Sequence, residues 1–178
     1  MFAVLVGACV APVLPSMGFM PSLYSAEGAD YGVKRGEPIH ILIADDHPVV
    51  REGLSAILDR QPDMEVVAEA SNGLEAVELH LRHLPDITLL DLRMPDLDGA
   101  ATVSKIRSQV PDAKIIIMSA YEGEEELCDA ILAGAEGYVS KASPRQQLLA
   151  CIHEVYEGKK WIPPEIASKL AHRRPPQT

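Results

Sequence analysis

From Ile39 the chain alternates two spacings of apolar residues. Ile39–Ala44 (IHILIA) is a β-rich apolar run, and Val50, Leu54, Ile57 and Leu58 then recur at helical spacing. Met64–Ala70 reads as a strand, with a helix on Leu74, Val77, Leu81 and Leu84 after it. Ile87–Leu90 is a short buried strand, followed by a weaker helix on Ala101, Val103 and Ile106. Lys114–Ser119 (KIIIMS) is a strand, and Leu127, Ala130 and Ile131 mark a helix. Gly137–Ser140 is the last strand, and Leu148, Leu149, Ile152 and Val155 close the series with a helix. Asn72 with Glu75, and Ser143 with Gln146 around Pro144, have the spacing of capping boxes. Five strands alternating with five helices predict an α/β domain with a doubly wound, five-stranded parallel sheet.

Residues 1–36 do not share this rhythm. Met1–Leu14 is mostly apolar but broken by Pro12, and no Lys or Arg precedes Lys34. A secretory signal begins with positive charge and a spanning helix needs about 20 apolar residues. The segment therefore reads as a disordered N-terminal extension, or as the product of an upstream start codon, rather than a leader or anchor. No internal repeat is visible.

Charge divides the chain of 178 residues, whose net formal charge is −10. Residues 37–158 hold 9 Lys and Arg against 23 Asp and Glu, a balance of −14, whereas residues 159–178 carry +4. An acidic body gives no phosphate-backbone affinity. Cys9, Cys128 and Cys151 have no metal-ligand spacing, and their odd number fits a reducing compartment, the cytoplasm.

The chemistry lies at the strand ends. Asp45 and Asp46 follow the first strand, Asp91 the third, Ser119 ends the fourth, and Lys141 follows the fifth. In doubly wound sheets ligands bind beyond the carboxyl ends of the strands, where strand order reverses. Two unit charges about 4 Å apart repel by roughly 4 kcal/mol at an effective dielectric near 20. A hard divalent cation relieves that repulsion, and an oxygen-only donor set suits Mg²⁺. One such Asp is adequately explained as a cap of the following helix; the whole set at successive strand ends is not. A carboxylate in this setting can attack a phosphoryl donor and form an acyl phosphate. No GxxxxGK[ST] loop or nucleotide fingerprint is present, so a partner must bring the phosphoryl group.

"DDHP", "DLRMPDLDG", "MSA" and "GYVSK" together make residues 38–157 resemble the receiver domain of two-component response regulators. The chain resembles in particular the NarL/FixJ (LuxR-type) regulators, which commonly carry "DDHPVVREGL" and a Ser-Pro soon after the lysine. The resemblance implies a flavodoxin-like receiver fold with Asp91 as phosphoacceptor. It implies Mg²⁺ held by Asp45, Asp46 and Asp91 and by the backbone carbonyl of Arg93, with Asp46 before Asp45 as a direct ligand. It also implies that Ser119 meets the phosphoryl group, that Lys141 pairs with a phosphate oxygen, and that Tyr138 is the aromatic switch partner of Ser119. A histidine kinase is the implied donor, and the implied product is a switch protein rather than an enzyme, dimerising on phosphorylation.

Other residues read more plainly. His47 starts the first helix at the surface with Pro48. His80 and His83 lack a third ligand for a metal site, and Glu122 with Glu124–Glu126 is a solvated acidic run favoured by the helix dipole. The expected domains are an extension 1–36, a receiver 37–158 and a linker 159–178 with a short helix near Pro164–Ala171. The helix-turn-helix domain of NarL/FixJ-type regulators does not follow, so the chain reads as a fragment of such a regulator, or as a stand-alone receiver, with no DNA or membrane binding of its own. Two other readings are an unphosphorylated docking scaffold and a haloacid-dehalogenase-like phosphatase. The latter wants a second carboxylate two residues after the nucleophile, where Arg93 stands.

Overall fold

The computed structural model describes residues 36–120 and 124–172; the N-terminal extension to residue 35, Glu122 and residues 173–178 lie outside the described residues. The described elements are β1 (Ile39–Ala44), α1 (Pro48–Leu58), β2 (Met64–Ala70), α2 (Gly73–His83), β3 (Ile87–Asp91), α3 (Gly99–Gln109), β4 (Ile115–Ser119), α4 (Glu124–Leu132), β5 (Gly137–Ser140), α5 (Arg145–Tyr156) and α6 (Pro164–His172). The five strands form one parallel sheet in the order β2-β1-β3-β4-β5. Strand order reverses between β1 and β3, so the crevice lies at their carboxyl ends.

Successive residues of the central strands feed opposite cores, because side chains alternate across a sheet. Ile41, Ile43, Leu89, Ile116 and Met118 pack with Leu58 of α1 and with Leu148, Cys151, Ile152 and Val155 of α5. Ala44, Leu90, Ile115 and Ile117 pack with Ala76 of α2, Val103 and Ile106 of α3, and Leu127, Cys128 and Ala130 of α4. β3 and β4 are buried along their whole length, as strands covered on both faces are.

Helix α2 departs from its predicted phase. Leu74 and Leu84 are exposed, and the buried positions are Gly73, Ala76 and His80. The cause is close approach. A Cβ on Gly73 would lie 2.4 Å from the Leu97 carbonyl oxygen and 2.5 Å from Thr102 Oγ1, so only glycine fits there. Leu84 is the left-handed C-cap at φ 44°. The α2 cap itself forms, with Asn72 accepting from the Glu75 N–H at 2.9 Å. Its return contact is shifted by one residue, because Glu75 accepts from the backbone and the hydroxyl of Ser71 rather than from Asn72. The box expected at Ser143 and Gln146 does not form. Ser143 N–H instead closes a turn on Ser140 O, and α5 starts one residue later from Pro144 without a side-chain cap.

The residues after α5 lie along the sheet edge. Trp161 pairs in parallel with Gly137, its N–H donating to Glu136 O and its carbonyl accepting from Tyr138 N–H, each at 2.9 Å. Helix α6 follows and packs on α4, with Ile166 buried in the core that α4 shares. An edge strand presents unpaired backbone groups, and Trp161 covers part of that edge.

His80 occupies a core position at 1 % exposure, its Nδ1 2.9 Å from the Thr88 hydroxyl of β3, while His83 is exposed. Burial pushes the His80 pKa down to about 4. The unfolded chain, near the ordinary 6.5, then binds the proton more readily, so stability is present in full above about pH 6.5 and falls as pH drops toward 4. The expected loss across that window is about 3 kcal/mol. Urea titrations at pH 7 and pH 4.5 are expected to show a steeper loss for wild type than for His80→Leu; equal pH dependence would show that His80 does not titrate in this way.

Candidate functional site

The site is built where β1, β3, β4 and β5 end. Asp45 and Asp46 leave β1 directly, and Asp45 N–H donates to Ala70 O at 3.1 Å. Asp91 is the last residue of β3 rather than the first beyond it, and its backbone pairs with Met118. Ser119 ends β4, buried, and its carbonyl accepts from Lys141 N–H at 2.8 Å. This bond carries the β4–β5 ladder one step past Ser140 and places Lys141 over the acidic set.

Lys141 Nζ lies 2.6 Å from Asp45 Oδ2 and 2.9 Å from Asp91 Oδ2. Both carboxylates are buried. Burial raises the Asp91 pKa, against the hydrogen bond and charge of Lys141; the Asp45 charge raises it further, and the Arg93 backbone N–H lowers it. Burial works against the Lys141 charge as well, but the nearby Asp45 and Asp91 outweigh it and its pKa is raised. The lysine therefore stays charged as the counterion of two acids.

That compensation is incomplete. With Asp46, three carboxylates face one lysine, leaving two negative charges in excess when His47 is neutral. Asp45 Oδ2 and Asp46 Oδ1 are buried without a well-directed hydrogen bond, although each has an ionic neighbour, Lys141 for the first and His47 Nδ1 at 2.7 Å for the second. Donor atoms of Asp45, Asp46, His47 and Asp91 lie within 4.8 Å of one another. Buried acceptor oxygens with an excess charge of two suit a divalent cation.

Local sequence explains much of this placement. In "DLRMPDLDG", Asp96 takes a left-handed turn at φ 68°, Asp98 caps α3 by accepting from Ala101 N–H at 2.8 Å, and Gly99 starts the helix. A Cβ on Gly99 would lie 2.9 Å from Leu92 Cα, so glycine lets α3 press against the residue that follows Asp91. Pro48 opens α1 with His47 as N-cap in extended conformation.

Not every implicated residue joins the acidic cluster. Tyr138 lies in β5, half-buried and packed against the core on the α4 side. The Arg93 side chain forms a two-pronged pair with Glu126 of α4, Nε to Oε2 at 2.8 Å and Nη2 to Oε1 at 3.0 Å. Glu126 is thus more than part of a solvated run. Sequence reasoning also passed over Arg51. Its Nη1 donates to the Asp45 carbonyl at 2.7 Å, and its Nε lies 3.5 Å from Glu69 Oε2. Arg51 stands one helical turn past His47, a spacing that points it back at the β1 end.

A β2-β1-β3-β4-β5 sheet with acids at the switch point and a lysine from β5 defines a signalling receiver domain. Residues 41–153 match the model of the response regulator receiver domain, and the chain belongs to that family. It is 44 % identical over 133 residues to the oxygen regulatory protein NreC of Staphylococcus epidermidis, covering 74 % of this chain and 61 % of that protein. NreC of Staphylococcus carnosus is 43 % identical over the same shares. The chain thus spans about three-fifths of the length of these curated relatives. Among solved structures it is similar to the signal receiver domain of the response regulator NarL from Mycobacterium tuberculosis. That match has a TM-score of 0.66 and 34 % identity, covering 69 % of this chain and 99 % of that one. A LuxR-family two-component response regulator from Aurantimonas is similar with a TM-score of 0.70 and 35 % identity, over 76 % of this chain and 97 % of that one. The receiver is of the NarL/LuxR type.

Removing one partner of a buried ion pair leaves an uncompensated charge and costs about 3–5 kcal/mol. Lys141→Met is therefore expected to lose about 3 kcal/mol in chelator-treated protein, with part of the loss restored by Mg²⁺. Denaturant titration with and without the ion checks both halves. A variant as stable as wild type in chelator would show that Lys141 does not hold the acids in place.

Proposed function

We propose that the chain accepts a phosphoryl group on Asp91 from a histidine kinase and acts as a Mg²⁺-dependent switch in the cytoplasm. The observation that carries this reading is the buried Asp91 carboxylate, 2.9 Å from Lys141 and in one cluster with Asp45 and Asp46. An Asp91 oxygen attacks phosphorus as the bond from phosphorus to the donor's histidine nitrogen breaks, and that nitrogen leaves with its electron pair. Lys141, already charged, turns from Asp91 to the phosphate oxygen that replaces it as an acid. Asp45, Asp46 and Asp91, with the Arg93 backbone carbonyl, would hold Mg²⁺, which supplies positive charge to the phosphoryl oxygens when bound. Positioning and charge neutralisation are all such a transfer asks of the protein, so the chain is a phosphoacceptor rather than a turnover enzyme.

The signal then passes along β4 and β5. Ser119 can donate its hydroxyl to a phosphate oxygen, and Ser119 and Tyr138 lie on strands paired in register. Movement of Ser119 changes the space open to Tyr138, whose backbone holds Trp161. Phosphate thus shifts weight between two arrangements of the β5 edge, where a second receiver or an effector domain docks. Residues 37–158 form the receiver unit on this reading, 1–36 an extension and 159–178 a linker. The acidic body does not bind DNA by itself. No helix among the described residues is long and apolar enough to cross a membrane.

Incubation with acetyl phosphate and Mg²⁺ is expected to add one phosphate, and Asp91→Ala to add none; intact-mass measurement reads both. Equal labelling of the variant would overturn the assignment of Asp91. Ser119→Ala is expected to accept phosphate but to lose most of the beryllofluoride-induced change in self-association, measured by sedimentation. A response equal to wild type would separate Ser119 and Tyr138 from the switch.

A further inference from the structure

We propose that His47 ligates transition-metal ions that enter this site, so that its imidazole biases the site toward borderline transition ions relative to Mg²⁺. This rests on the reading of Asp45, Asp46 and Asp91 as the cation's carboxylates.

The position of the imidazole is built, not accidental. His47 N–H donates to Asp45 Oδ1 at 2.9 Å, and the His47 carbonyl accepts from Val50 and Arg51 as α1 begins. Pro48 restricts the residue before it to extended backbone, and His47 has φ −90° and ψ 110°. Its main chain is thus held at both ends beside the acids. The ring makes no cap bond to the helix it precedes. It turns instead to the acids, with Nδ1 2.7 Å from Asp46 Oδ1 and 3.3 Å from Asp45 Oδ1.

The distances suit one shared ion. Atoms bound on opposite sides of a cation at about 2.0–2.2 Å stand about 4 Å apart. The donor atoms of His47 and the three aspartates already lie within 4.8 Å of one another, so small rotations close the set. The side chain is 67 % exposed, which leaves solvent-side positions for water and for an incoming phosphoryl oxygen. An ion pair of so exposed a group with Asp46 contributes little by itself, so stability does not account for the arrangement.

Donor chemistry sets the consequence. Carboxylates and carbonyls serve Mg²⁺, whereas imidazole serves the later first-row ions and adds to an affinity that rises along that row. Mg²⁺ keeps its waters and has little use for the ring. The same cluster with His47 removed is an all-oxygen site that loses this selectivity and keeps its Mg²⁺.

The test is calorimetric titration of the full chain with Mg²⁺ and, separately, with Co²⁺, whose visible absorption also reports nitrogen ligation. His47→Ala and His47→Gln are expected to weaken Co²⁺ by about tenfold or more, to change the cobalt spectrum, and to leave Mg²⁺ within about threefold. Retained Mg²⁺ binding shows that the variants are folded. Asp46→Ala is expected to weaken both ions, which ties the cobalt signal to this cluster rather than to a surface histidine. Wild-type cobalt affinity and spectrum in the His47 variants, or equal losses for both ions, would overturn the proposal. Wild-type protein that binds neither ion would overturn the metal site itself, a different failure.

Discussion

Like charge confined in a small buried space is the constraint around which this protein is organised. Asp45 and Asp91 sit inside the protein at the ends of neighbouring strands, and Lys141 is the counterion that lets both remain there. Because the lysine comes from the far side of β4, its reach ties β1, β3 and β5 together across the sheet. With His47 neutral, three carboxylates against one lysine leave two negative charges in excess, and that excess makes the site responsive. A site neutral in isolation would have no reason to attract a cation, and the cation in turn screens the charge of an incoming phosphoryl group.

The surrounding contacts hold the cluster from several directions. Arg51 grips the Asp45 carbonyl from α1, and Gly99 lets α3 press against the chain beyond Asp91. Arg93 carries the connection outward to Glu126 on α4. A charge placed at the site therefore meets elements that reach the opposite core. The β5 edge belongs to the same system, since Lys141 leaves its end and Trp161 lies along its side. The segment from Trp161 through α6 thus lies where a change in β4 and β5 would be felt, with Ile166 anchored in the core beside α4.

Much of this was legible in the sequence because it is local. A continuous apolar run of four to seven residues between turn signals specifies a buried strand, and the alternation with helical spacing specifies a parallel sheet. Once the strands are placed, their carboxyl ends are placed too, so Asp45, Asp46, Asp91, Ser119 and Lys141 must share one edge. In the loop after β3, Asp98 as cap and Gly99 as close-approach residue also act within a few positions of themselves, although in the sequence the motif carries only a resemblance and their roles come from the fold.

Tertiary approach decided the rest. Periodicity put Leu74 and Leu84 inside α2, but the distance between α2 and the residues after β3 admits only Gly73 there, and His80 became the core residue by finding Thr88 on a different strand. Nothing near His80 in the chain announces that partner. Arg51, Glu126 and Trp161 likewise take their meaning from groups brought close by folding: the Asp45 carbonyl, Arg93 and the β5 backbone. A pattern along the chain sets which face of an element is apolar; how closely two faces approach, and which polar group meets which, is set by the packed sheet and its helices.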